Sequence, residues 1–498
     1  MELTFQIERA GAWIVGQADF TDGQERVTAL SETQANATSK APRLGLWLGF
    51  VGLAALAVSM AQTILIPVLG QLPQTLHTSA DNVQWLLTST LLVAAVAVPV
   101  MGRLGDMFGK RRLLLVAVAM LVVGSLVTAL TSNLALLIAG RAVQGLSAAA
   151  IPLGISLLSS LVPREKAGSA IATVSAMLGV GGALGLPLAG FIAEHFDYHA
   201  LFWVTAAAGA VALLGLLLFV PEAPSSTGGR IDYAGALLLG AALIALLLPL
   251  SETSVWGWGS AAVIGLLVAS VVLLVVFGLV ERRIAAPLVD LATLRRRPIL
   301  LTNLASLLFG FALFASLIAT ASYVEAPKQT GYGFGESILV GGLAMLPSGL
   351  AMLVLAPVSA RLAARIGGPR TLATGAVIVA AGWLLRMVAT GSLWEILVGV
   401  TIVGAGTGIG YAAMPAIVNS HTPATELASA NGLNTLVRSA GSSLASAIGG
   451  SIFAASTVAV GAFMLPSLHA YRLLFLLCAA AALAAAVIAF AIPRAPGD

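Results

Sequence analysis

Charge is what this chain has least of. Only 9% of its 498 residues are Asp, Glu, Lys or Arg, against about a quarter in an average soluble domain. So few charges cannot cover a soluble core of this size, which excludes a soluble protein. Cysteine is scarcer still. Cys478 stands alone, which excludes an internal disulfide and leaves no second thiol for a metal. The five histidines, His77, His195, His199, His421 and His469, are scattered without metal-ligand spacing. No phosphate-binding loop and no nucleophile–base pair is present, so ATP does not drive this protein directly. GAGTGIG at 404–410 superficially resembles a dinucleotide loop, but it lies inside an apolar run with no strand before it. Close helix packing explains it better. No signal-peptide core occurs in residues 1–43, whose longest apolar run is 12–15.

Apolar residues make up 59% of the chain. They recur in runs of about 20, the length a bilayer core demands. The runs lie near 44–68, 83–102, 111–131, 134–160, 168–193, 199–220, 232–250, 261–281, 300–325, 335–361, 371–390, 393–419, 425–456 and 470–492. Fourteen spans put both termini on one side. The basic residues say which side, because cytoplasmic loops collect Lys and Arg. Only Lys328 and Arg472 fall on the far side, and Arg141, Arg386 and Arg438 lie within spans. All other basic residues share the side of the termini, which is therefore the cytoplasm. A pI near 9.5 thus reflects topology and not a nucleic-acid face. Residues 1–43 read as a disordered cytosolic tail, with an amphipathic surface helix as the weaker alternative. Residues 493–498 read as a short cytosolic end.

The rest of the chain is organised around residues 99–112, PVMGRLGDMFGKRR. Gly102, Gly105 and Gly109 allow a tight turn and close helix approach. Asp106 lies near the end of one span and Arg111 near the start of the next, so the turn can pair them. Residues 357–370, PVSARLAARIGGPR, repeat the segment at six of fourteen positions, with Ala364 in place of Asp106. Two related six-helix halves, 44–220 and 300–492, therefore flank two inserted helices and their linkers at 221–299. Repeated halves around a central site are how secondary transporters alternate access.

The loop resembles the signature between the second and third helices of the major facilitator superfamily, G-x-L-x-D-x-x-G-[RK]-[RK]. Gly102, Leu104, Asp106, Gly109, Lys110 and Arg111 match it. The resemblance implies an all-α polytopic membrane protein in which Gly102, Arg103, Asp106, Gly109, Lys110 and Arg111 govern conformational switching. RAVQG at 141–145 resembles the family's fourth-helix motif, implicated in proton transfer. The alternative for Arg141 is a structural arginine bonded to neighbouring helices, and intramembrane charges favour function by about two to one. Gly181, Gly185, Pro187 and Gly190 match the antiporter motif G-x-x-x-G-x-P-x-x-G, found mainly in exporters; ordinary glycine packing is the competing reading. RIDYAGALLLG at 230–240, SVWGWGS at 254–260 and NGLNTLVRSAGSSLASAIGG at 431–450 are similar to the fourteen-span drug–proton antiporters of the superfamily.

One departure bears on mechanism. Several members carry a first-helix aspartate where this chain has Met60, Ala61 and Gln62, so a mechanism relying on that acid does not carry over. Asp81 reads as an N-cap of the second helix. Glu325 closes the ninth span, either facing the cavity or its outer mouth, or exposed and paired with Lys328. The resemblance implies a monomeric exporter in a bacterial plasma membrane. It would exchange protons for a small amphiphilic compound, cationic or lipophilic, with no cofactor besides the proton. Arg141 and Glu325 are the proton-coupling candidates. Gln62, Trp85, Gln144, Tyr323, Asn434 and Arg438 are the cavity candidates. An exporter of a lipid or natural product fits as an alternative. A polytopic membrane enzyme fits less well, for want of clustered acids or histidines.

Overall fold

The computed structural model describes residues 3–9, 12–18, 44–69, 71–223, 228, 232–284, 287–461 and 463–493. In the N-terminal unit, β1 (Leu3–Arg9) and β2 (Ala12–Ala18) form an antiparallel hairpin with Ile7 opposite Ile14. A hairpin thus stands within the stretch expected to be a structureless tail. The physical reason is local: LTFQIER and AWIVGQA are rich in β-branched and aromatic residues, which the polar average over 1–43 hides. The rest of that tail, Arg230 and residues 494–498 lie outside the described residues.

From Trp47 onward the chain is one compact unit. Its long helices are α1 (Leu44–Thr63), α2 (Ala80–Phe108), α3 (Lys110–Ala129), α4 (Leu134–Leu161), α5 (Arg164–His195), α6 (His199–Phe219) and α7 (Tyr233–Trp256). They continue as α8 (Ala261–Glu281), α9 (Arg297–Glu325), α10 (Ile338–Ile366), α11 (Gly368–Val388), α12 (Leu393–Ser420), α13 (Leu427–Ala455) and α14 (Leu468–Phe490). Among the described residues thirteen of these are long and apolar enough to cross a bilayer. The fourteenth, α13, spans 29 residues but is too rich in Ser, Asn and Gly to meet the same measure. Short antiparallel strands β3 (Thr457–Val460) and β4 (Phe463–Pro466) join α13 to α14.

Serines set many of the helix starts. Ser79, Ser260, Ser337, Ser392 and Ser467 each accept the backbone N–H three residues on, the usual N-cap device. Ser79, not Asp81, therefore caps α2, and Asp81 sits in its first turn. The repeat is visible in backbone geometry. Gly109 between α2 and α3 has φ +115°, and Gly367 between α10 and α11 has φ +85°. Both helices that end there also carry an internal proline, Pro99 and Pro357.

Helices α1–α6 and α9–α14 form the two halves. The halves meet where α2 packs on α13 and α5 packs on α10 and α12. Inserted helix α7 lies against α2 and α13, whereas α8 packs chiefly on α7 and leaves most of its apolar surface to lipid.

Candidate functional site

The loop between α2 and α3 is a cross-half clasp. Asp106 is 1% exposed. Its carboxylate accepts the N–H groups of Ala428 at 3.2 Å and Ser429 at 2.9 Å, in the first turn of α13. An acid there also meets the positive end of the helix dipole. Among the described residues it forms an ion pair with Lys110 at 3.7 Å, and not with Arg111 as the turn suggested. Lys110 donates on to Ser160 Oγ and the Ala424 carbonyl, both at 3.2 Å. Arg111 points the other way and donates to the Leu217 carbonyl at 2.8 Å, at the end of α6. Glu222 accepts the backbone N–H groups of Arg111 and Arg112, which caps α3. The glycines follow from this crowding. A Cβ on Gly102 would stand 2.9 Å from the Ala428 carbonyl oxygen, and one on Gly109 would stand 2.9 Å from Glu222. Arg103 borders a recess with Asp290 and Glu426.

More polar contacts seal the same end of the bundle. Asn431 Nδ2 donates to Asn419 Oδ1 at 2.6 Å, and Asn419 Nδ2 donates to Ser159 Oγ at 2.9 Å. These bonds join α4 of one half to α12 and α13 of the other.

Behind the clasp, between the halves, lies a cavity of about 160 Å³. Its wall comes from α1, α2, α4, α5, α9, α10, α12 and α13, with Leu247 from inserted α7. Gln62, Arg141 and Arg438 are in the wall, amid mainly apolar side chains and the serines Ser439, Ser442 and Ser443. The Arg141 guanidinium is held through Nε and Nη1 by backbone and amide oxygens. Its Nε donates to the Leu86 carbonyl at 3.0 Å, and Nη1 donates to Ala61 O at 3.0 Å and Gln144 Oε1 at 2.7 Å. Gln144 stands behind it and donates to Ser125 Oγ at 2.7 Å.

Several expected wall residues lie elsewhere. Trp85 is half-buried outside the wall. Tyr323 packs into an aromatic cluster with Tyr332 and Tyr471, each ring centroid 5.0 Å away. Asn434 holds α13 to α9 through Asn303 at 2.9 Å and Ser306 at 2.6 Å. Glu325 is half-buried beside Gly341 of α10, where any Cβ would strike its carboxylate. It lies off the cavity wall and makes no ion pair with Lys328 among the described residues. The antiporter-motif glycines face two ways. Gly181 and Gly185 let α5 lie on α1, against Leu56 and Thr63, while Pro187 and Gly190 meet Gly342 and Leu339 of α10. The motif is therefore both a packing seam within one half and a contact between halves.

Among the described residues Glu252, Glu281 and Arg386 are buried ionisable groups that went unremarked as sites. Glu252, 3% exposed on α7, accepts a hydrogen bond from Thr88 Oγ1 of α2 at 2.9 Å. The apolar run ends at 250, which put Glu252 outside the membrane, yet the helix continues to Trp256. Arg386 is clamped between Trp383 and Phe475, 4.7 and 4.6 Å from the ring centroids, and donates to Ser316 Oγ at 3.2 Å. Cation–π contacts of this kind offset part of the cost of a buried guanidinium.

The model of the Major Facilitator Superfamily matches residues 51–446 and 334–498. The chain belongs to the major facilitator superfamily. It is a multi-pass membrane protein, and its relatives in this superfamily are transporters. It is 29% identical over 413 residues to the tetracenomycin C resistance and export protein of Streptomyces glaucescens, covering 81% of this chain and 75% of that one. It is 32% identical over 346 residues to the puromycin resistance protein pur8 of Streptomyces alboniger, covering 67% of this chain and 66% of that one. The fold of this facilitator matches that of the human organic anion transporter MFSD10 (TETRAN), with a TM-score of 0.62 at 16% identity, covering 90% of this chain and all of that one.

Proposed function

We propose that the protein is a proton-coupled exporter of amphiphilic drugs or toxic organic compounds. It would work as a fourteen-span antiporter in a bacterial plasma membrane with both termini in the cytoplasm. The observation that carries this reading is a cavity between two halves, shut at one end by the Asp106 clasp onto α13. Relatives named for antibiotic resistance and export support the direction of transport. At about 160 Å³ the cavity is smaller than the 300–1,000 Å³ of a drug-sized site. The halves must part for a substrate to be admitted, as alternating access requires.

The driving force is the proton. The membrane potential supplies about 2.3 kcal/mol per charge per 100 mV, so one or two protons suffice for modest gradients. An arginine cannot titrate in the working range. Arg141 therefore serves as a fixed polar hub, and Glu325, beside the α5–α10 contact, serves as a proton-carrying acid. The mainly apolar wall would also suit a lipid or natural product, the second reading. The test is efflux of a panel of dyes and labelled lipids from cells, with and without an uncoupler. Uncoupler-sensitive efflux supports the reading, and efflux that ignores the uncoupler removes proton coupling.

A further inference from the structure

A guanidinium buried among apolar helices must find acceptors, since an unpaired charge there is costly. Among the described residues three arginines are buried in this bundle. Arg141 donates to carbonyl and amide oxygens. Arg386 lies away from the cavity, where Nη1 donates to Ser316 and two aromatic rings cover the guanidinium, although its Nε and Nη2 have no acceptor. Arg438 differs in that its unmatched N–H groups belong to the cavity wall. It is 7% exposed, sits in the wall of the central cavity, and lies 4.6 Å over the ring of Tyr411. Among the described residues no oxygen accepts from its N–H groups, and no carboxylate comes within ion-pair distance. Its position is enforced, because Gly310 of α9 admits the α13 backbone at Arg438 with no room for a Cβ.

The cavity wall is also free of acids. Among the described residues Arg141 and Arg438 are its charged members. Leu313, Phe314, Met345 and Met352 supply an apolar bed beside them. We propose that the cavity binds an amphiphile through an oxyanion held by Arg438, with the ligand's apolar body on that bed. Carboxylate, sulfonate and phosphate all match the planar fork of a guanidinium. A cation meets two guanidiniums and no carboxylate, so it is the disfavoured charge class. This inference rests on the export reading only for what happens after binding. If the anion leaves while a proton comes in, both movements carry charge the same way, and an inside-negative potential alone accelerates export.

The test uses the full-length protein purified in detergent and two xanthene dyes of similar shape and opposite charge, fluorescein and rhodamine 6G. A fluorescent phosphatidylglycerol forms the third arm and separates a lipid headgroup from a free organic acid. Wild type is expected to bind fluorescein or the anionic lipid roughly 10- to 100-fold more tightly than rhodamine 6G, the usual effect of a charge-assisted bond. Arg438→Gln is expected to lose that preference, and Arg438→Lys to recover part of it, which also guards against a folding defect in the first variant. Equal affinity of wild type for the two dyes, absence of binding by both anionic probes, or undiminished anion preference in Arg438→Gln overturns the proposal. In proteoliposomes, wild type that binds fluorescein but never accumulates it against a gradient overturns the export reading and leaves the Arg438 site standing. Uncoupler-sensitive transport of rhodamine 6G in preference to fluorescein overturns the Arg438 site and leaves export standing.

Discussion

The carboxylate of Asp106 accepts the backbone N–H of Ser429 at 2.9 Å across the boundary between the two halves. The acid comes from the end of α2, and the N–H belongs to the first turn of α13. One side chain thus closes a helix terminus that its own half does not contain. On the proposed alternating-access reading, this bond must break for that end to open.

Replacing Asp106 by Asn keeps the shape and one acceptor but removes the charge that faces Lys110 and the α13 terminus. Hydrogen bonds to charged groups are worth about 1.5–3 kcal/mol, so the closed end weakens by roughly 10- to 150-fold. Asp106→Asn is expected to express and fold but to lose transport, measured as dye efflux in everted vesicles. Full efflux would remove the switch role.

Gly190 offers a steric test of the α5–α10 contact. A Cβ there would stand 2.7 Å from the Leu339 Cα, and overpacking of this kind costs about 1–3 kcal/mol. Gly190→Ala should therefore favour conformers with α5 and α10 parted, seen as faster hydrogen exchange in α10 and reduced efflux. Gly168→Ala, on the same helix with nothing within 4 Å, should behave as wild type. Identical exchange in the two variants would show that the contact is not strained.

Glu325 touches Gly341 of α10, next to the Gly342 that meets Pro187 of α5. Glu325→Gln is expected to abolish uphill, proton-driven efflux and leave downhill exchange as the residual activity. Substrate-induced proton release from purified protein is the readout. Equal release from wild type and variant would move coupling to another residue, for which buried Glu252 is the next to examine.

Topology has its own check. A fluorescent protein fused after Asp498 should light up in the cytoplasm, and a phosphatase active only outside it should be silent at the same point. The reverse pattern would mean that α13, the least apolar of the long helices, does not cross the membrane.

Much of this was written in the chain's local chemistry. Runs of about 20 apolar residues set the helices to within a few positions, because a bilayer core leaves the backbone no other way to satisfy its polar groups. Gly109 and Gly367, spaced as the repeat requires, mark the turns at which each pair of helices reverses. What the sequence could not decide is which face of a helix looks inward. Lipid and protein interior are both apolar, so the periodicity that separates core from solvent in a soluble helix carries little information here. For that reason Tyr323 and Asn434 could pass for cavity residues until packing turned them into an aromatic cluster and a helix–helix bond. Only tertiary structure put Asp106 on α13, some 322 residues away, and set Arg438 in a cavity wall where, among the described residues, it meets neither an acceptor nor an acid. Those outcomes depend on how the two halves meet, and no stretch of local sequence contains that contact.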